Sequence, residues 1–457
     1  MNIFSKAKTA HLFPKNLSFH RKYLTVASFD NKQITVGVGG GDIAGDNSDS
    51  FDAVQDTPHS KISFSTIFLR DACASPESVD FSTRQKSFST AHVAQELEIL
   101  GIPTVTSKNG QDHLEVQWKH HDGTKQTSIY SESFLKKSKT LASRLEGKYF
   151  PTEKVHWTAK DLIKDMKMLN LDYRAYLEGD ATFRNALKAL NKYGICFVNH
   201  IDDPLQNPKT QDLSESNTLL WPVAKMAQNF GYIKSTFYGT LFNVKNDKTP
   251  KNIANTNVFL PLHMDLCYYE SPPGLQLLHF IKNSTLGGEN VFADSFLAAS
   301  RIKQSDPDAY EALKTVPITF HYNNNNEYYY YLRPLIVEDP FVKDFETGEP
   351  LIKEVNYSPP FQGPFELNIT GDEDSKLWDD FIRGMIVFEE AINDRANQYI
   401  VKSPENTCVI FDNRRVLHSR LEFSDQNGGD RWLMGCYVDG DSYRSRLRTC
   451  LSKEVAD

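Results

Sequence analysis

The sequence predicts an α+β, strand-rich protein of two domains, the larger a sheet core with helices on one side. Three observations carry this. The chain has 457 residues, too many for a single core of ordinary size. Apolar residues make up 40% and charged residues 24%, so most of the chain can fold. Twenty Tyr and 29 Phe suit sheet-rich cores and aromatic-lined pockets. The net charge of −8 is spread without long acidic runs, which speaks against a nucleic-acid binder with its basic face. No run of about 18 apolar residues exists, so no membrane span is expected. Cys73, Cys196, Cys267, Cys408, Cys436 and Cys450 lack paired short spacings. They read as reduced core thiols of an intracellular protein.

Met1 to Ser28 carries Lys6, Lys8, Lys15, Arg21 and Lys22, with no acid before Asp30. Basic, hydroxyl-rich, acid-free starts are what mitochondrial import reads, so 1–28 is expected to be a leader and the protein mitochondrial. Strand-like runs follow at Lys32 to Val38, Ile62 to Leu69 and His113 to Trp118, with a Gly/Asp/Ser-rich loop over Gly39 to Ser60. Residues 29–149 thus read as a small β-rich domain, and the basic stretch Lys136 to Lys154 as its connection to the larger domain, 150–457. That domain opens with helical patterns, Ala159 to Met168 and Asp172 to Tyr193, then a buried strand, Gly194 to Val198. Further strands are expected at Leu275–Ile281, Asn290–Asp294, Ile318–His321, Tyr328–Leu332, Cys408–Asp412 and Trp432–Val438. Helices are expected at Ala309–Leu313 and Leu377–Tyr399, and the Asn-rich tract between His321 and Glu327 reads as a turn between strands.

The chemistry centres on Leu262-His263-Met264-Asp265. In an extended strand, residues i and i+2 project to one face, so His263 and Asp265 can present an imidazole and a carboxylate to one point. His418, expected at the edge of a turn after the strand Cys408 to Phe411, offers a third ligand. Two His and one carboxylate on one face leave three adjacent sites open, as Fe(II) oxygenases need for a 2-oxo acid and O₂. Arg431 opens a strand where a hairpin return brings it toward the metal, and its planar guanidinium suits the distal carboxylate of 2-oxoglutarate. His-x-Asp alone is a weak signal; the set carries the reading.

With Phe68-Leu69-Arg70-Asp71-Ala72-Cys73, Leu262-His263-Met264-Asp265 and Asn413-Arg414-Arg415-Val416-Leu417-His418, the chain resembles the gamma-butyrobetaine and trimethyllysine dioxygenase family, within the wider taurine dioxygenase-like superfamily. The resemblance also runs through Ser82-Thr83-Arg84-Gln85 and Pro272-Pro273-Gly274-Leu275-Gln276. It continues through Gly287-Gly288 with Asp294, and the ending from Gly435 to Arg448. It implies a double-stranded β-helix (jelly-roll) catalytic domain behind a small β-rich domain. It also implies Fe(II) on His263, Asp265 and His418, with 2-oxoglutarate on Arg431 and Asn290. Iron, 2-oxoglutarate and O₂ then supply the oxidising chemistry, giving succinate and CO₂, with ascorbate as reductant, while the protein orients the target C–H bond.

Butyrobetaine enzymes hold a trimethylammonium group by cation–π attraction in an aromatic cage. The resemblance places Tyr238, Phe242 and Tyr437 in that cage, Asn252 at a polar pocket position, and Asn255 where another aromatic is expected. Tyr268 and Tyr269 are candidates to compensate. The family's zinc site also departs from pattern: Cys73 stands alone, with Ser75 and Ser78 at the next two cysteine positions and Gln126 at the histidine position. One thiolate cannot close a tetrahedral site, so no structural zinc is expected and packing is expected to hold the small domain. The function implied is hydroxylation of gamma-butyrobetaine in carnitine biosynthesis. Rivals are trimethyllysine hydroxylation, oxidation of another small carboxylate or sulfonate, and a silent binding protein of the same fold. Family members often form homodimers, although the sequence has no interface signature.

Overall fold

A computed structural model describes residues 24–39, 60–94, 97–120, 123–145, 148, 154–245, 256–344, 348–371, 374–424, 426 and 428–454. The chain divides into two compact units, Met1–Arg144 and Leu145–Asp457. The division falls inside the expected connection, where the described residues form helices Glu132–Lys137 and Leu141–Leu145. Most of the expected leader and the 40–59 loop lie outside the described residues. The strand Leu24–Phe29 overlaps the leader's last residues, because Leu24 is buried and pairs with Val38.

The smaller unit holds a three-stranded antiparallel sheet, Leu24–Phe29, Gln33–Val38 and Ser60–Ser65. A second sheet is built around Gln111–Lys119, whose Leu114, Val116 and Trp118 alternate into the core with Ile34 and Val36. The run Ile62 to Leu69 is only half strand. From Thr66 the buried positions are Thr66, Leu69 and Arg70, a helical spacing, and Thr66–Asp71 is a helix.

Among the described residues the larger unit has two large sheets and three two-stranded ones. The six-stranded sheet has the order Phe242–Lys245, Arg431–Val438, Leu275–Asn283, Thr407–Asp412, Ile195–Asn199, Asn170–Asp172. The four-stranded sheet has the order Leu260–His263, Val416–Arg420, Asn290–Asp294, Gln398–Val401. Side chains interdigitate between them: Phe292 of the smaller sheet meets Phe197 and Phe411 of the larger, with ring centroids 6.3 and 5.8 Å apart. This strand-rich mixed α/β architecture is consistent with a jelly-roll.

Three expected helices are broken. Ala159 to Met168 becomes Ala159–Lys164 and Met166–Leu169, parted at Asp165. Asp172 to Tyr193 becomes Tyr173–Glu178 and Asp180–Tyr193, separated at Gly179. The second ends on Gly194 at φ +74, where an added Cβ would lie 2.9 Å from Val416 Cγ2. Leu377 to Tyr399 becomes a helix Ser375–Asn393, and Tyr399 falls in a strand. The break is at Asp394, whose carboxylate accepts from Ala396 N–H and starts a short 3₁₀ turn. The Asn-rich tract is a hairpin turn: Asn325 and Asn326 take φ 51 and 62 between Pro317–Asn324 and Glu327–Pro334. Among the described residues no helix is long and apolar enough to cross a membrane. All six cysteines are buried free thiols.

Candidate active site

The strand Leu260–His263 runs antiparallel to Val416–Arg420, and the register sets His263 directly opposite His418. Their ring centroids are 4.2 Å apart. His418 is not at the edge of a turn, as expected, but inside a fully buried strand flanked on its other side by Phe292. Asp265 is not on a strand either. The strand ends at His263, Asp265 sits in the following turn, and Leu266 takes φ 60. The carboxylate therefore arrives by a turn rather than by strand alternation.

Asn413 fixes that turn. Its Oδ1 accepts from Asp265 N–H at 2.9 Å, and its Nδ2 donates to Asp265 O at 2.9 Å and to Pro273 O at 3.3 Å. His263 Nδ1 lies 2.8 Å from Pro261 O, so the proton sits there and Nε2 keeps its lone pair. Asp265 Oδ1 is 3.3 Å from His263 Nε2 and 4.0 Å from His418 Nε2. Donor atoms of the three residues lie within 4.8 Å of one another. Burial pushes the His418 imidazolium down to about 3, with His263 adding to the effect, so His418 is neutral at physiological pH. Burial works to raise the Asp265 carboxyl, but the adjoining His263 and His418 imidazoles and the Tyr437 hydroxyl outweigh it and hold the group below the usual carboxylate range.

Arg431 opens its strand on the six-stranded sheet, buried, on the wall of the same cavity. Its Nε is buried without a hydrogen-bond partner. Burial, then neighbouring Arg420, pushes its guanidinium down to about 9. Arg420 itself is pushed down to about 10 by burial and donates to Val258 O at 2.7 Å. Both guanidiniums lie over the Phe423 ring, at 5.1 and 5.6 Å. Two buried cations side by side call for an anion. The glycine pair makes room: Gly288 takes φ +72, and a Cβ there would approach Phe423 Cβ to 3.1 Å and Arg431 Nε to 3.6 Å. Asn290 lines the cavity and donates to Ser403 Oγ at 3.3 Å.

The profile of the taurine catabolism dioxygenase TauD, TfdA family matches residues 158–437. This chain belongs to that family. It is 32% identical over 394 residues to dioxygenase str8 of Strobilurus tenacellus, covering 83% of each chain. It is 32% identical over 424 residues to probable oxidoreductase AIM17 of Saccharomyces cerevisiae, covering 85% of each. Gamma-butyrobetaine dioxygenase of a Pseudomonas species is 27% identical over 389 residues, with 84% of this chain and 89% of that one covered. The protein is thus a 2-oxoglutarate-dependent dioxygenase.

In this TauD-family cavity the walls near the three donors are aromatic. Tyr238, Phe242 and Tyr437 line it together, with Phe242 stacked on Tyr437 at 5.0 Å. Tyr268 lines it too, its hydroxyl 3.5 Å from that of Tyr238. Tyr269 instead packs against Tyr329 at 4.8 Å and accepts from Phe237 N–H. Asn252 and Asn255 lie outside the described residues. Arg420, Asn413, Phe361 and Gln276 carry no role expected from the sequence. Arg420 had a signal: it is two residues from His418 on one strand, hence on the same face. Asn413 had none, because its partners are backbone groups far along the chain.

The four positions of the expected zinc departure do converge in the smaller unit. Cys73 Sγ is 3.3 Å from Ser75 Oγ, and Ser75 Oγ is 3.4 Å from Ser78 Oγ. Gln126 Nε2 donates to Ser75 Oγ at 3.0 Å, to Cys73 Sγ at 3.7 Å and to Ser78 Oγ. Arg70 Nη1 donates to Ser78 Oγ at 3.1 Å. One thiol, two hydroxyls and an amide nitrogen do not fit zinc. Hydrogen bonding joins apolar packing here, whereas packing alone was expected.

Proposed function

We propose that this dioxygenase hydroxylates a small trimethylammonium carboxylate, with gamma-butyrobetaine to L-carnitine as the best match. The supporting observation is one cavity that joins a two-His, one-carboxylate donor face to buried Arg431 and to an aromatic wall. In this reading His263, Asp265 and His418 hold Fe(II), and Arg431 with Asn290 holds 2-oxoglutarate. The bound iron, 2-oxoglutarate and O₂ supply the oxidising chemistry, and ascorbate keeps the metal ferrous. The residues do the rest. Arg431 grips the distal carboxylate in a low-dielectric site where the pairing is strong. Tyr238, Phe242 and Tyr268 offer π-faces to a quaternary ammonium that no hydrogen bond can hold. The buried walls exclude water from the reacting carbon. Arg420 favours a substrate that also carries an anion, whether carboxylate or sulfonate, which keeps a sulfonate oxygenase as the second reading.

The test is succinate formation by purified protein with Fe(II), 2-oxoglutarate and ascorbate across a panel of gamma-butyrobetaine, trimethyllysine and sulfonates. The greatest stimulation is expected with gamma-butyrobetaine. Greater stimulation by trimethyllysine or a sulfonate would replace the substrate and leave the chemistry standing. We also place the protein in mitochondria, on the basic, acid-free character of residues 1–28.

A further inference from the structure

We propose that Tyr437 is a positioning residue that holds Asp265 as a one-oxygen metal ligand. The inference rests on the reading that His263, Asp265 and His418 hold the metal. The two carboxylate oxygens of Asp265 stand in different surroundings. Oδ1 faces His263 Nε2 at 3.3 Å and His418 Nε2 at 4.0 Å. Oδ2 accepts the Tyr437 hydroxyl at 2.7 Å.

A carboxylate is free to offer a metal either one oxygen or both. With both, it would take a fourth position and leave two open sites, one too few for a bidentate 2-oxo acid and O₂ together. Asn413 cannot make this choice. Of Asp265 it bonds only the backbone N–H and C=O, and leaves the side-chain torsions unset. The Tyr437 hydroxyl is the group that sets them. It also comes from elsewhere: Tyr437 is on the six-stranded sheet, while the donors lie on the four-stranded sheet and the turn after it. The bond therefore ties the two sheets at the donor face. The hydroxyl is itself well placed, because the Tyr437 ring is buried and stacked on Phe242 at an interplanar angle of 27°.

The experiment replaces iron with Co(II), whose absorption reports coordination without turnover. Tyr437→Phe keeps the ring and removes only the hydroxyl. We expect Co(II) affinity to fall about tenfold, the lower end for loss of a group that orients a metal ligand, with a changed absorption band. Wild-type affinity and an unchanged band in Tyr437→Phe would overturn the inference. His263→Ala separates this from failure of the site reading: if it binds Co(II) as wild type does, the metal is elsewhere and both ideas fall. Should Tyr437→Phe not fold, 3-fluorotyrosine at 437 keeps the ring and hydroxyl, exchanges one ring hydrogen for fluorine, and makes the hydroxyl a stronger donor. It should shift the Co(II) band, and an unmoved band counts against the inference.

Discussion

Each compact unit gathers a polar cluster, His263, Asp265 and His418 in the larger and Cys73, Ser75, Ser78 and Gln126 in the smaller, and the two differ in which way their lone pairs are spent. At His263, Asp265 and His418, the Nδ1 proton of His263 is engaged by Pro261 O, so Nε2 turns a lone pair toward Asp265 Oδ1. At Cys73, Ser75, Ser78 and Gln126, the members bond one another. The Gln126 amide supplies protons where a ligand would supply electrons, and Arg70 adds a cation. Convergence alone does not make a metal centre. Unspent lone pairs and a compatible neighbouring charge are needed as well.

The sharpest way to break this contrast is a pair of substitutions. His263→Ala should abolish substrate-stimulated succinate formation while the circular dichroism spectrum stays that of folded protein. Cys73→Ser should leave turnover at the wild-type level. Equal losses would mean that the two clusters are not different in kind. Next in size is Arg431→Ala. Removing one partner of a buried, charge-assisted carboxylate pair costs on the order of 2 kcal/mol or more, so KM for 2-oxoglutarate should rise at least about 30-fold. Arg431→Lys should recover only part of it, because an ammonium lacks the planar fork. An unchanged KM in both variants would move the co-substrate away from Arg431.

How the donor face was legible explains what was missed. His263, Asp265, His418 and Arg431 could be picked out because their chemistry is scarce and their segments are short and patterned. Their meeting has other causes than the local pattern implies. Strand alternation does not deliver Asp265, which lies past the strand end, and no turn delivers His418, which lies inside a strand. A period-two pattern cannot show where a strand stops, and the stop here is made by Asn413, distant along the chain. The long helical pattern from Leu377 similarly ran through Asp394, whose cap ends it. In the smaller unit, substitutions at the ligand positions were visible, but the bonds joining the substitutes were not, because they depend on side-chain directions.

Asn413→Ala tests whether the turn carries the donor face, with a smaller effect expected. It leaves the part-buried Asp265 N–H and C=O without their partner, each worth about 1 kcal/mol. Thermal melting should fall by several degrees, and Co(II) affinity should fall with it as Asp265 loses its fixed backbone. A lowered melting temperature with intact Co(II) affinity would confine Asn413 to structure and leave the placement of Asp265 to Tyr437 alone.

The smallest expected effect sharpens the other half of the contrast. We expect no zinc in the smaller unit, so metal analysis of chelated, iron-free protein should find less than one zinc per chain, and the chelator should not shift melting of that unit. Gln126→Ala then removes hydrogen bonds and no metal ligand, costing about 1 kcal/mol. One tightly held zinc per chain, lost in Gln126→Ala, would overturn this. The complementary triple variant Ser75→Cys, Ser78→Cys, Gln126→His adds two thiols and an imidazole at positions whose side chains already meet. It should bind Co(II) with the intense bands of tetrahedral thiolate ligation, which the wild-type unit should lack. If the triple variant stays metal-free, the converging positions are not at ligand spacing, and the contrast between the units is one of geometry after all.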